Sequence, residues 1–169
     1  PRKYVFLTLQ IQPEASTSIF SPFFVNERAL IENISRALPL GWELVVKPNP
    51  KMVKDQRHPV SFYRWIESVP NARVVPPDAV TMDLIDGAAA VVTNTGTSGF
   101  EGALRGKKVV AMTDKKIWSM IRSLTICTDF TKMHDAFREA ENYRADDNDF
   151  AAYLQAVHDN TFALDKDYV

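Results

Sequence analysis

Hydrophobic and polar positions along the chain alternate between two periods. Short apolar runs of the kind that form buried parallel strands occur at Tyr4–Gln10, Trp42–Lys47, Asn71–Val75, Ala88–Thr93 and Lys108–Met112. Between them lie stretches with apolar residues at helical spacing. One runs from the cap residue Asn26 to about Leu38, with Leu30, Ile31, Ile34, Ala37 and Leu38 on one face. A second covers Phe62 to Ser68 through Phe62, Trp65 and Ile66, and a third turns from Thr81 to Gly87. Ile11 to Pro22, rich in Ser, Thr and Pro, reads as a loop, and Pro48-Asn49-Pro50 stops the second strand because proline supplies no ladder donor. Beyond Met112 the pattern predicts a helix over Ile117–Leu124, a short strand at Thr125–Cys127, a helix from Thr131 to about Tyr143, and a last helix through Phe150–Leu154 capped by Asp146–Asp149. Strands alternating with helices in this way predict an α/β fold: a Rossmann-like three-layer α/β/α arrangement on a mainly parallel sheet.

In such sheets ligands gather beyond the carboxyl ends of the strands. That rule gathers Gln10–Glu14, Lys47–Pro50, Val75–Asp78, Thr95–Gly99 and Met112–Lys115 on one rim. The most informative of these is the segment after the fourth strand, Thr95-Gly96-Thr97-Ser98-Gly99, where small residues let the backbone approach a ligand. A helix follows at once, with Phe100, Ala103 and Leu104 spaced for the core. Strand, small-residue turn and helix start direct unpaired amides and the positive end of a helix dipole at one spot, which suits a phosphate or diphosphate. The other reading is an ordinary strand-to-helix turn capped by Thr97 or Ser98. The segment is not a P-loop, because three residues separate Gly102 from Gly106 and Lys107 is followed by Lys108. Its glycines also fail the dinucleotide fingerprint, which follows the first strand.

Composition narrows the class. The chain has 169 residues, 46% hydrophobic and 24% charged, enough for one soluble globular domain spanning 1–169 with a core of its own. A net charge of −1 gives no electrostatic footprint for nucleic acid. The lone Cys127, in an apolar run, excludes an internal disulfide and reads as a buried inert thiol. No run of about eighteen apolar residues and no signal peptide is seen. A chain that opens at Pro1 directly before a strand reads as a piece of something larger. His58, His134 and His158 are dispersed, with no metal-ligand spacing, so no metal site is expected. Asp165-Lys166-Asp167 mimics the Asp-x-Asp of metal-dependent glycosyltransferases but has no strand before it. Trp42, Trp65 and Trp118 read as packing residues rather than sugar platforms.

Taken in order, Gln12-Pro13-Glu14, Val46-Lys47-x-x-Pro50, Pro70-Asn71-x-Arg73-Val74-Val75-x-Pro77, Asp83-Leu84-Ile85 and Val91-Val92-Thr93-x-Thr95-Gly96-Thr97-x-Gly99-Phe100-Glu101 resemble bacterial capsule and surface-polysaccharide glycosyltransferases of the GT-B type. They are most similar to the Kdo-transferase-like capsule proteins, over Tyr4 to about Met112. The resemblance implies the C-terminal, nucleotide-sugar-binding half of a two-domain enzyme. Lys47, Asn49, Pro76, Thr95, Gly96, Thr97, Ser98, Gly99 and Glu101 would then contact the nucleotide and its phosphates, with Gln12, Glu14 and Asn49 as the catalytic residues. The family's usual His-Pro falls on Asn49-Pro50, so that histidine is absent. Glu101 would take a ribose or sugar hydroxyl, or would serve only the helix dipole and an i,i+4 pair with Arg105.

The same resemblance implies no tightly bound cofactor or metal, and a CMP-, UDP- or GDP-sugar as donor. Its implied partners are a glycan or glycolipid acceptor and a missing N-terminal domain that supplies the acceptor's base. The implied location is cytoplasmic, with peripheral association with the capsule assembly machinery at the inner membrane. A nucleotide-sugar 2-epimerase uses a similar scaffold, and a non-catalytic module of capsule synthesis and export is the other alternative.

Overall fold

Six strands form a single sheet in the order β3-β2-β1-β4-β5-β6, every neighbouring pair parallel. A computed structural model describes residues 2–122 and 124–161; Asp165-Lys166-Asp167 lies outside them. The strands are β1 (Tyr4–Thr8), β2 (Glu43–Lys47), β3 (Ala72–Val74), β4 (Ala90–Thr93), β5 (Lys108–Ala111) and β6 (Leu124–Ile126). The helices are α1 (Ala15–Phe20), α2 (Glu27–Ala37), α3 (Pro50–Lys54), α4 (Val60–Ser68), α5 (Thr81–Gly87), α6 (Ser98–Leu104), α7 (Met133–Glu141) and α8 (Asp147–Asp159). Strand order reverses between β1 and β4, so the chain leaves the two strands toward opposite sides and opens a crevice at their carboxyl ends.

Both faces of the sheet are covered, as continuous apolar strands require. Val5, Leu7, Leu44 and Val46 face one layer, where Ile31 and Ile34 of α2, Ile66 of α4 and Phe137 of α7 pack. Phe6 and Val45 face the other, against Ile85 of α5, Ala103 of α6, Trp118 and Ile121, with Phe150 and Tyr153 of α8 at its margin. The period of two decides which face each residue joins. Phe137 is fully buried, and its truncation to alanine costs about 3–5 kcal/mol.

Several local expectations change. The loop over Ile11–Pro22 contains α1, which buries only Thr17, and a 3-10 turn at Pro22–Phe24. Helix α1 shows no apolar period because Ile19 is 69% exposed and little of it meets the core. Pro48-Asn49-Pro50 not only stops β2 but starts α3: Asn49 Oδ1 accepts from Lys51 N at 2.9 Å and Pro50 takes the first helical position. The helix expected over Ile117–Leu124 is a 3-10 turn at Ile117–Met120, and β6 begins at Leu124, one residue before the expected Thr125. On α6 the buried side is Gly99, Gly102 and Ala103, whereas Leu104 is 56% exposed. A Cβ at Gly102 would lie 3.0 Å from Val91 Cγ2 and 3.2 Å from Val109 Cγ2, so close approach of α6 to the sheet, rather than a leucine, fills that seam.

Candidate functional site

At the crevice between β1 and β4 lies a polar cleft of about 190 Å³. Thr8 ends β1 directly opposite Lys47 of β2 in the parallel register. Its hydroxyl lies 2.9 Å from Ser98 Oγ at the start of α6 and closes the crevice floor. Lys47, only 8% exposed, reaches across to donate from Nζ to Thr81 Oγ1 at 2.8 Å. Among the described residues no carboxylate lies within ion-pair distance of this ammonium. A buried cation whose protein partner is a neutral hydroxyl is suited to an anion that brings its own charge.

The opposite wall is the turn between β4 and α6. Thr93 Oγ1 accepts from Gly96 N at 3.0 Å and donates to Gly96 O at 3.1 Å, folding Asn94–Gly96 back on the strand end. Neither Thr97 nor Ser98 caps the helix with its side chain: the Thr97 hydroxyl donates to Glu101 Oε1 at 3.0 Å, and the Ser98 hydroxyl meets Thr8. The amides of Thr97 and Ser98 have no acceptor among the described residues, and both residues line the cleft. Gly96 faces the cleft as well, since a Cβ there would run into the side-chain amide of Gln10.

The structure therefore brings Lys47, Asn49, Gly96, Thr97, Ser98 and Glu101 to one cleft, together with Gln10 and Thr81. Glu101 points its carboxylate toward Thr97, while Arg105 pairs with Asp86 at 3.3 Å instead of with Glu101. The remaining expected residues lie elsewhere. Thr95 is buried with its hydroxyl unpartnered. Gly99 packs under the helix, where a Cβ would be 2.6 Å from Thr93 Cγ2 and 3.1 Å from the Trp118 ring. Pro76 is exposed in the loop after β3 and does not line the cleft. Gln12 lines a neighbouring hollow of about 500 Å³ with Pro13, Ser18, Met52 and Arg57, and Glu14 is exposed, accepting from Ser16 Oγ at 2.8 Å. Thr81 carried no signal beyond opening a helix after a proline-rich loop, which is why its pairing with Lys47 is visible only in three dimensions.

The other flagged residues take structural places. Cys127 is buried, its thiol donating to Asp129 O at 3.2 Å, and burial pushes its pKa up, as expected of an inert thiol. Trp118 is buried against α6, and the Arg28 guanidinium lies 4.4 Å from the centre of the Trp65 ring. Among the described residues no three His, Cys, Asp or Glu side chains converge as a metal site would require, and no helix is long and apolar enough to cross a membrane.

A parallel sheet in this order, covered on both faces and with a polar cleft at its switch point, is the Rossmann-like unit that GT-B glycosyltransferases use. The chain belongs to the family of capsule polysaccharide biosynthesis proteins, which it matches over residues 1–168. No curated protein matches it. Its fold is similar to that of UDP-GlcNAc 2-epimerase from Methanocaldococcus jannaschii, at 14% identity and a TM-score of 0.63, covering 95% of this chain and 46% of the epimerase. It is also similar to KpsC, the β-Kdo 2,7 transferase of Thermosulfurimonas dismutans, at 16% identity and a TM-score of 0.57, covering 95% of this chain and 54% of that one. A third similar fold is TarM of S. aureus, crystallised with UDP, at 16% identity and a TM-score of 0.57, covering 94% of this chain and 32% of TarM. The chain thus spans about half the length of the first two and a third of the last.

Proposed function

We propose that residues 1–169 form the nucleotide-sugar-binding domain, the C-terminal half, of a metal-independent GT-B glycosyltransferase that builds capsule or surface polysaccharide. The observation that carries this reading is that the buried Lys47, its ammonium partnered by the Thr81 hydroxyl, lines one cleft with Thr97 and Ser98, whose amides have no acceptor among the described residues. Donor phosphates fit between these groups, with Asn49 at the rim and the Glu101 carboxylate next to the turn, where a ribose or sugar hydroxyl would donate to it. A transferase needs charge growing on the departing nucleotide phosphate to be stabilised, and fixed amides and a preset ammonium do this without reorganisation. Gln12, Pro13 and Glu14, beside the cleft, would meet the donor sugar or the acceptor. In this reading the base that activates the acceptor hydroxyl comes from a second domain.

A CMP-, UDP- or GDP-sugar is the donor class, with a glycan or glycolipid as acceptor on the cytoplasmic side of the inner membrane. Support for a nucleotide ligand comes from family membership and from similar folds crystallised with UDP. The test is a thermal-shift panel of CMP, UDP, GDP and their sugars. A nucleotide-dependent rise in melting temperature supports the reading, and no rise with any of them counts against it.

A 2-epimerase is the second reading, favoured by the fold likeness to UDP-GlcNAc 2-epimerase. Product analysis of the whole protein separates the two: an epimerase changes the free donor with no acceptor present. A non-catalytic module of capsule synthesis and export is favoured by one observation, that Asn49 spends its side-chain oxygen on capping α3.

A further inference from the structure

Behind the cleft lies a buried polar cluster that nucleotide contact does not explain. Glu27 opens α2 and His58 sits in the loop before α4, and Glu27 Oε2 lies 2.7 Å from His58 Nε2 with the two side chains 9% and 17% exposed. Phe62 stacks on the imidazole, centroids 4.2 Å apart. The groups whose charge bears on the pair are Arg28, which disfavours a second cation at His58, and Tyr63, whose ionisation the Glu27 charge opposes. The second oxygen of the carboxyl, Glu27 Oε1, is buried and unpartnered, and so is Asn94 Oδ1. Asn94 Nδ2 donates to Phe24 O at 3.2 Å, which sets the amide orientation and leaves Oδ1 as the acceptor.

Glu27 and Asn94 line the same small hollow of about 10 Å³, together with Thr8, Leu9 and Gln10. That is room for one water. Two acceptors cannot bond to each other, and a buried oxygen left without a donor is costly. A single water satisfies both, one O–H to each oxygen.

We propose that the hollow is a one-water site bridging Glu27 Oε1 to Asn94 Oδ1, and that Glu27, fixed by His58, is a positioning residue for the Asn94–Ser98 turn. The bridge ties the first turn of α2 to the end of β4 at the residue where the turn begins. The second half of the proposal rests on the nucleotide reading of the cleft; the first half does not.

A crystal structure of the chain at a resolution that orders water tests the bridge directly. One water peak within hydrogen-bond reach of both oxygens is expected. An empty gap, a direct Glu27–Asn94 contact, or a monovalent cation in place of the water overturns it. Positioning is tested with UDP as probe, by calorimetry on wild type, Glu27→Ala and Glu27→Gln. Glu27→Ala should weaken UDP several-fold to about tenfold, the size of one lost hydrogen bond, while Glu27→Gln restores most of the affinity. Equal affinity in all three folded proteins overturns the positioning role. If wild type binds UDP, CMP and GDP not at all, the nucleotide reading and the positioning role fail together, and the density still decides the water site.

Discussion

Lys47 Nζ and Thr81 Oγ1 meet at 2.8 Å, joining the end of β2 to the first turn of α5 across the mouth of the cleft. The contact uses one of the three ammonium donors, and the other two have no protein acceptor among the described residues. Lys47→Met keeps the stem and removes the charge, so the chain should stay folded and lose nucleotide affinity by about tenfold or more, the scale of a charge-assisted bond of ~1.5–3 kcal/mol. Calorimetric titration beside circular dichroism separates loss of ligand from loss of fold.

Gly96 and Gly99 should behave differently although they share one turn. Gly99→Val drives a side chain into Thr93 Cγ2 and the Trp118 ring, so its first effect is a lower melting temperature. Gly96→Val displaces only the end of the Gln10 side chain but narrows the cleft, so its first effect is weaker nucleotide binding. Melting curves and titrations on both variants check this pairing, and equal effects would show that the turn has one role throughout.

Position 49 carries the family departure. Asn49→His removes the cap on Lys51 N, a cost of about 0.5–2 kcal/mol read as a lower melting temperature. An imidazolium there would add a charge-assisted bond to a donor phosphate. Relative to wild type at each pH, nucleotide affinity should therefore gain more at pH 6 than at pH 8, because the protonated population falls as pH rises. A flat difference would show that position 49 does not meet the phosphate.

Glu27 makes stability depend on pH. Burial raises its carboxyl from 4.5 to about 7. Between these values the folded chain holds a proton that the unfolded chain has released, so this group's contribution is present below pH 4.5 and is lost as pH rises through 7. His58 acts in the opposite sense, since burial and Arg28 lower its pKa and its contribution is lost as pH falls through that lowered value. Glu27→Gln removes only the first effect. Its stability relative to wild type should be higher at pH 8 than at pH 5, measured by urea unfolding at both.

The layered architecture was legible because the strands are apolar runs too short for a helix, with Gly41, Asn71, Gly87 and Gly106 shortly before β2, β3, β4 and β5. The cleft was legible in outline for the same reason: the carboxyl ends of β1, β2 and β4 follow once the strands are placed. Helices α1 and α3 were not, since α1 buries only Thr17 and α3 is a single capped turn whose Asn49-Pro50 also reads as a strand stop. The spacing of Leu104 suggested core, but the seam beneath α6 admits only hydrogens at Gly99 and Gly102. Glu27 and His58 are far apart in sequence, and nothing in either local pattern signals their contact.

The central claim is that the Lys47 cleft takes the phosphates of a nucleotide. The most direct measurement is calorimetric titration of CMP, UDP and GDP into the wild-type chain and into Lys47→Met. The account predicts that at least one nucleotide binds wild type at one site, and that the variant, still folded, binds it about tenfold or more weakly. Binding of equal strength to both proteins, or no binding of any nucleotide to folded wild type, would contradict it.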